Sequence, residues 1–108
     1  MVNKVIILGN VGKDVLSADN NGVQRCNFSV ATTERYNRNG ETVEKTEWHR
    51  VVAFGRLATF AANYITSGKQ VYVEGRLHTH TYTDKDLVNR TSVEIVADEI
   101  KLCGKKGE

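Results

Sequence analysis

A chain of 108 residues has room for one domain, and a core of that size folds without metal or disulfide staples. Hydrophobic residues make up 40% and charged residues 26%, which excludes a disordered chain and points to a soluble protein with no membrane partner. Lys and Arg number 15 against 13 Asp and Glu, so the net charge of +2 does not specify an acidic partner and the placement of the cations has to.

Met1-Val2-Asn3-Lys4 leads directly into Val5-Ile6-Ile7-Leu8, a run too short for a signal-peptide apolar region or a membrane span. Cys26 and Cys103 lie far apart with no Cys-x-x-Cys spacing, so neither a zinc site nor a disulfide framework is expected. A reducing, cytoplasmic setting fits, and no cofactor is called for.

Taken in chain order, Asn3 to Asn10 is β-branched and apolar and reads as a first strand, with Gly9 and Gly12 marking a bend or bulge. Asp19-Asn20-Asn21-Gly22 is a turn, because Asn and Gly accept the positive φ of tight hairpins. The second strand, Val23 to Thr33, puts Cys26, Phe28 and Val30 on one face and polar residues on most other positions. A polar hairpin tip at Asn37-Arg38-Asn39-Gly40-Glu41 leads into a third strand from Thr42 to Phe54. Between Arg56 and Ser67 the period changes: Leu57, Phe60, Ala61, Tyr64 and Ile65 share one helical face, and Gly68 stands where a helix-ending glycine belongs. Gln70 to Tyr82 alternates again, with Tyr72, Glu74, Arg76, His78, His80 and Tyr82 on its wet side. After the turn Thr83-Asp84-Lys85-Asp86 comes a fifth strand from Thr91 to Ala97, with Ile100 to Leu102 as a short continuation. Three strands, one helix and two strands, without βαβ alternation, predict an all-β fold with one helix: a five-stranded Greek-key OB-fold barrel over residues 1–103, the helix between strands three and four, and a flexible tail at 104–108.

Chemistry concentrates in Glu47-Trp48-His49-Arg50-Val51-Val52-Ala53-Phe54-Gly55-Arg56. In an extended strand Trp48, Arg50, Val52 and Phe54 point to one side, so two aromatic rings and a guanidinium share a face. Such a face offers π surfaces to unpaired bases and cations to the phosphates between them. The competing reading makes Trp48 and Phe54 ordinary core residues, and Arg50 between them weighs against it. Tyr82, beyond His78 and His80, and Tyr36, beside Arg38, would extend a stacking surface. His78 and His80 lie two apart on one strand face, but without a carboxylate or thiolate in view no metal site is expected. No Gly-x-Ser-x-Gly, His-Glu-x-x-His or phosphate-cradling glycine loop occurs, so no catalytic activity is expected. Two other readings stay open: an OB-fold adaptor whose aromatic face meets protein or RNA, and a small hydrolase with His49 or His80 as base, for which no nucleophile is identifiable.

Thr46-Glu47-Trp48-His49-Arg50-Val51-Val52-Ala53-Phe54-Gly55-Arg56-Leu57-Ala58 resembles the bacterial-type single-stranded-DNA-binding protein family. The similarity takes in Val2 to Asn10, Asn27 to Thr32, Gln70 to Gly75 and Tyr82 to Asp84. It implies an OB-fold homotetramer, a dimer of dimers, that binds and protects single-stranded DNA in replication, recombination and repair, using four aromatic positions per subunit. Trp48 and Phe54 match two of them; the other two fall on Tyr36 and Tyr82, whose rings offer less stacking area than tryptophan. Arg50, Arg56, Arg76, His78, His80 and Lys4 complete the implied DNA-binding set, and His49 matches a subunit-interface position. Three departures accompany the match. His78 and His80 stand where arginines are familiar, so binding is expected to tighten modestly below about pH 6.5. Leu87 replaces a usual glycine, and Thr91 a frequent aromatic, around the hairpin that follows Asp84. The sequence stops at Glu108, short of the acidic-tipped tail through which family members recruit replication and repair proteins, so no such recruitment is assigned to these residues.

Overall fold

The computed structural model describes residues 1–13, 15–20 and 22–104. The elements run β1 (Val5–Val11), β2 (Leu16–Asn20), β3 (Val23–Arg38), β4 (Glu41–Phe54), α1 (Gly55–Tyr64), β5 (Gln70–Thr83) and β6 (Asn89–Cys103). Residues 105–108 of the expected tail, and Asn21 of the first expected turn, lie outside the described residues.

The barrel closes through five strand neighbours. β1 pairs antiparallel with β5 from Val5↔Gly75 to Asn10↔Gln70, and with β3 at Asn10↔Ala31 and Val11↔Val30. β3 pairs antiparallel with β4, β4 runs parallel to β6 at Val51↔Ile95 and Val52↔Val96, and β6 returns antiparallel to β5. This is the five-stranded barrel with one helix that the element order predicts. The segment β2, which the sequence reading passes over, is the continuation of β1 past the glycine bend and extends along β3 from Leu16↔Asn27 to Asn20↔Val23. Its Leu-Ser-Ala-Asp-Asn sequence has little intrinsic strand preference, so pairing with β3 carries it. The close approach at the bend explains Gly9: a Cβ there would stand 2.2 Å from the Ala31 carbonyl oxygen.

Alternation fills the interior. Ile7 and Val11 of β1, Cys26, Phe28 and Val30 of β3, Val51 and Ala53 of β4, Val71 and Val73 of β5, and Ile95, Ala97 and Ile100 of β6 form one buried cluster. Each large aliphatic side chain removed from water in this way contributes about 1.5–3 kcal/mol. Helix α1 adds Ala58 and Ala61, and Ile65 just beyond it, against β3 and β4. The helix is shorter than its apolar period suggests, ending at Tyr64 because Ile65 turns to extended backbone (φ −88°, ψ 121°) and inserts into the core. Gly68 therefore does not cap the helix; it forms a later turn whose N–H donates to the Val11 carbonyl at 2.8 Å.

One hairpin is tighter and one strand longer than expected. β3 and β4 continue to Arg38↔Glu41, leaving only Asn39 (φ 51°) and Gly40 (φ 82°) as the loop, the double positive φ of a two-residue hairpin turn. β6 is a single strand through Cys103, with a register shift at Glu74/Gly75 that absorbs the gap expected after Ala97. Among the described residues no helix is long and apolar enough to cross a membrane.

Candidate functional site

Register decides which side chains meet. On β4, Trp48, Arg50, Val52 and Phe54 face outward from the barrel, opposite Ala31, Ser29, Asn27 and Arg25 of β3. Val51 and Ala53 face inward and are wholly buried. Trp48 is 63% and Phe54 45% exposed, so the core reading of these two rings is set aside. Val52 lies buried between them on the same outer face. Phe54 holds the last position of β4 because Gly55, at φ 63°, swings the chain into α1 immediately after it. Trp48 lies over Gly12: a Cβ on that glycine would come within 2.9 Å of the indole.

The outer face continues across the parallel seam onto β6 and β5. Arg50 Nη1 donates to Ser92 Oγ at 3.2 Å, and Ser92 is the ladder partner of His80. His78, His80 and Tyr82 then form a row, with ring centroids 6.2 and 5.9 Å apart. A groove bounded by Arg25, Asn27, Ser29, Arg50, His80 and Glu94 connects the two halves. Among the described residues Arg25 and Arg50, which line the groove, and Arg56, exposed in the first turn of α1, form no salt bridge, so the charge of the first two is available to an anion in the groove. His78 and His80, by contrast, face the Glu94 carboxylate at 3.4 and 4.0 Å. Any positive charge they acquire is partly cancelled there, which weakens the case for tighter binding at low pH.

Other expected site residues lie apart from this cluster. Tyr36 pairs with Val43 near the hairpin tip, on the ladder face opposite Trp48, and is exposed on the projecting ribbon. Arg76 is tied to Asp98 at 2.7 Å, and Lys4 to Glu74 at 2.5 Å. The hydrogen bond from Lys4, helped by one from Tyr72, holds the Glu74 carboxyl below the usual carboxylate range and raises the Lys4 ammonium. His49 points the opposite way from Trp48, as its place in the alternation requires, and is hydrogen-bonded through Nε2 to the Thr32 hydroxyl at 2.8 Å. Beside it lie Val5 and the exposed Leu77 and Val93, in a hollow whose other walls are Trp48, Arg50 and Glu94, so this patch borders the aromatic face.

Two neighbours of the site escaped sequence reasoning. The Arg25 guanidinium sits over the Phe54 ring, 5.9 Å from its centroid, with its Nε donating to Asn27 Oδ1 at 3.2 Å. The signal was present: counting back along the ladder from the two-residue Asn39-Gly40 loop puts Arg25 opposite Phe54. Glu94 is the other, a carboxylate from β6 delivered beneath two histidines of β5.

The Single-strand binding protein family matches residues 2–103. Single-stranded DNA-binding proteins of Neisseria meningitidis and Xanthomonas axonopodis pv. citri are each 45% identical over 99% of the chain. The chain spans 63% and 61% of the lengths of those two relatives. Among solved structures, a Plasmodium falciparum SSB complex with ssDNA superposes with a TM-score of 0.87 at 28% identity, over 96% of this chain and 97% of that one. A small single-stranded DNA-binding protein from Streptomyces coelicolor gives a TM-score of 0.77 at 28% identity, over 95% and 96% of the two chains. With its barrel, its outward aromatic pair and this match over nearly its whole length, the chain belongs to the single-strand binding protein family.

Proposed function

We propose that this chain binds single-stranded DNA without sequence preference and without catalysis, by stacking bases on Trp48 and Phe54 and engaging phosphates with Arg25, Arg50 and Arg56. The observation that carries the reading is the outward aromatic pair interleaved with guanidiniums that no acidic side chain among the described residues neutralises. Every base has a π face, so stacking tolerates any sequence, whereas in a duplex those faces are hidden. Tyr82, with His78 and His80, extends the surface along β5; Tyr36 offers a further ring on the projecting ribbon. Arg76 and Lys4, each held by a carboxylate, contribute at the margin. The proposal extends to protection of single strands in replication, recombination and repair, in a cytoplasmic setting. Assembly into a homotetramer, a dimer of dimers with His49 and its apolar neighbours at one contact, is part of the same proposal.

The decisive measurement is quenching of Trp48, the single tryptophan, by oligothymidines of increasing length. Quenching that saturates and grows with length up to a fixed site size supports the reading. Saturable binding that leaves Trp48 emission unchanged would overturn it, and tighter binding of oligouridine would favour an RNA-directed adaptor instead.

A further inference from the structure

The least expected grouping in the molecule is His78, His80 and Glu94, whose ligand atoms all lie within 4.8 Å of one another. Sequence alone gives two histidines with no acid nearby. The antiparallel ladder changes that by setting Glu94 directly across from His78 and diagonally across from His80. Glu94 Oε1 stands 3.4 Å from His78 Nδ1 and 4.0 Å from His80 Nδ1. At 8% exposure it is the one buried charged side chain among the described residues. A carboxylate taken out of water needs a cation. Among the described residues the two imidazoles are the only groups within ion-pairing distance of it, and they are cationic only when protonated.

We propose that His78, His80 and Glu94 form a binding site for a zinc-class divalent cation. Two imidazole nitrogens and one carboxylate oxygen are a donor set that suits zinc and its first-row neighbours rather than magnesium or calcium. Ligand bonds of about 2.0–2.2 Å to a tetrahedral ion place donor atoms roughly 3.3–3.6 Å apart. The Glu94–His78 separation already has that value, Glu94–His80 stands at 4.0 Å, and the two imidazole donors, within 4.8 Å of each other, close by up to about 1.5 Å when the rings turn onto the ion. Both imidazole side chains are about half exposed, while the buried Glu94 supplies the fixed point. Three protein ligands leave the fourth position open towards the groove, where water or an anionic oxygen completes the shell. Arg50 lines the same groove and opposes the added charge, but its guanidinium is held by Ser92 rather than by Glu94. The site stands on its own geometry, whether or not the groove takes DNA.

The test uses the whole chain, freed of metal with a chelator and titrated with Co²⁺ in the absence of nucleic acid. Expected are visible ligand-field bands of a nitrogen- and oxygen-ligated ion, saturating at one per chain and abolished by added Zn²⁺. H78A and H80A, at exposed positions that should leave folding intact, should each weaken binding at least about 100-fold, since even partners that only orient a ligand are worth 10–100-fold. E94Q should do the same, with circular dichroism checking its fold, and C103S should change nothing. Failure to saturate at one ion per chain, binding that survives H80A, or a sulfur charge-transfer band lost in C103S would each overturn the proposal.

Discussion

Trp48 and Phe54 each rest against one neighbour: Gly12, too close beneath the indole to carry a side chain, and Arg25 over the phenyl ring. Each ring is expected to contribute separately to nucleic-acid affinity. Trp48→Ala and Phe54→Ala should each weaken oligothymidine binding by about 1–3 kcal/mol, measured by anisotropy at constant salt, with thermal stability changed less at the 63% exposed Trp48 than at the half-covered Phe54. Arg50→Ala should act differently, lowering the slope of log K against log salt by about 0.7 if it neutralises one phosphate. An unchanged slope with lower affinity would mean that Arg50 only positions its neighbours. The aromatic pair was legible from strand alternation alone. Arg25 was not read there because it takes knowledge of the register, and Arg50 could not be linked to Ser92, because that contact crosses the parallel β4–β6 seam between segments 42 residues apart.

At the level of elements, the hairpin joining β5 to β6 shows how a departure from family pattern is accommodated. Leu87 adopts φ 60°, a left-handed conformation that costs a side chain bearing Cβ roughly 1–2 kcal/mol. Asp84 holds the turn against that cost: its Oδ1 accepts from the Asp86 and Val88 amides at 2.9 and 3.0 Å, and its Oδ2 accepts from Arg90 Nε at 2.6 Å. Leu87→Gly should therefore raise the melting free energy by about 0.5–1 kcal/mol, the relief of strain being partly offset by glycine's greater freedom in the unfolded chain. The Arg90 hydrogen bond, followed by those of the two amides, holds the Asp84 carboxyl below its ordinary value. A depressed carboxylate stabilises the fold above its unfolded pKa near 4, and that contribution is lost as pH falls through the lower folded value. Protection of the Val88 amide against hydrogen exchange should thus be level from neutrality to about pH 5 and fall only in stronger acid, whereas Asp84→Asn should remove this acid step. The helix boundary and the strand β2 were not legible for a related reason. Ile65 leaves the helix to fill the core and β2 is held by its partner strand, and in both cases tertiary packing overrides local preference.

For the molecule as a whole, the barrel closes over short seams, two residue pairs between β1 and β3 and two between β4 and β6. The β1 residues from Val5 to Asn10 pair with β5, but among the described residues only Asn10 and Val11 pair with β3, which leaves Val5 to Leu8 with one ladder edge unpaired there. Unpaired edges are what a second chain most readily completes. The outward side chains beside that edge are Ile6 and Leu8, 56% and 54% exposed, flanked by the Lys4–Glu74–Tyr72 network, whose polar groups satisfy one another. An apolar strip with an open edge beside it is self-complementary about a two-fold axis, where the same residues meet their own copies. Burying what remains exposed of the two aliphatics would gain about 1–1.5 kcal/mol per side chain, too little alone but sufficient when edge hydrogen bonds and the Leu77–Val93 patch near His49 add to it. Light scattering of the unaltered chain should give a multiple of the monomer mass. Leu8→Glu should lower that multiple, because an unpaired carboxylate is then forced towards its own copy across the axis. The test separates assembly from DNA binding, since Leu8 pairs with Tyr72 of β5 rather than with the β3–β4 ladder that carries Trp48 and Phe54: the variant should still quench with short oligothymidines, and lose only the longer site that a strand passing over several subunits requires. If the mass of Leu8→Glu is unchanged, the contact lies elsewhere, and the Leu77, Val93 and His49 patch becomes the surface to alter next.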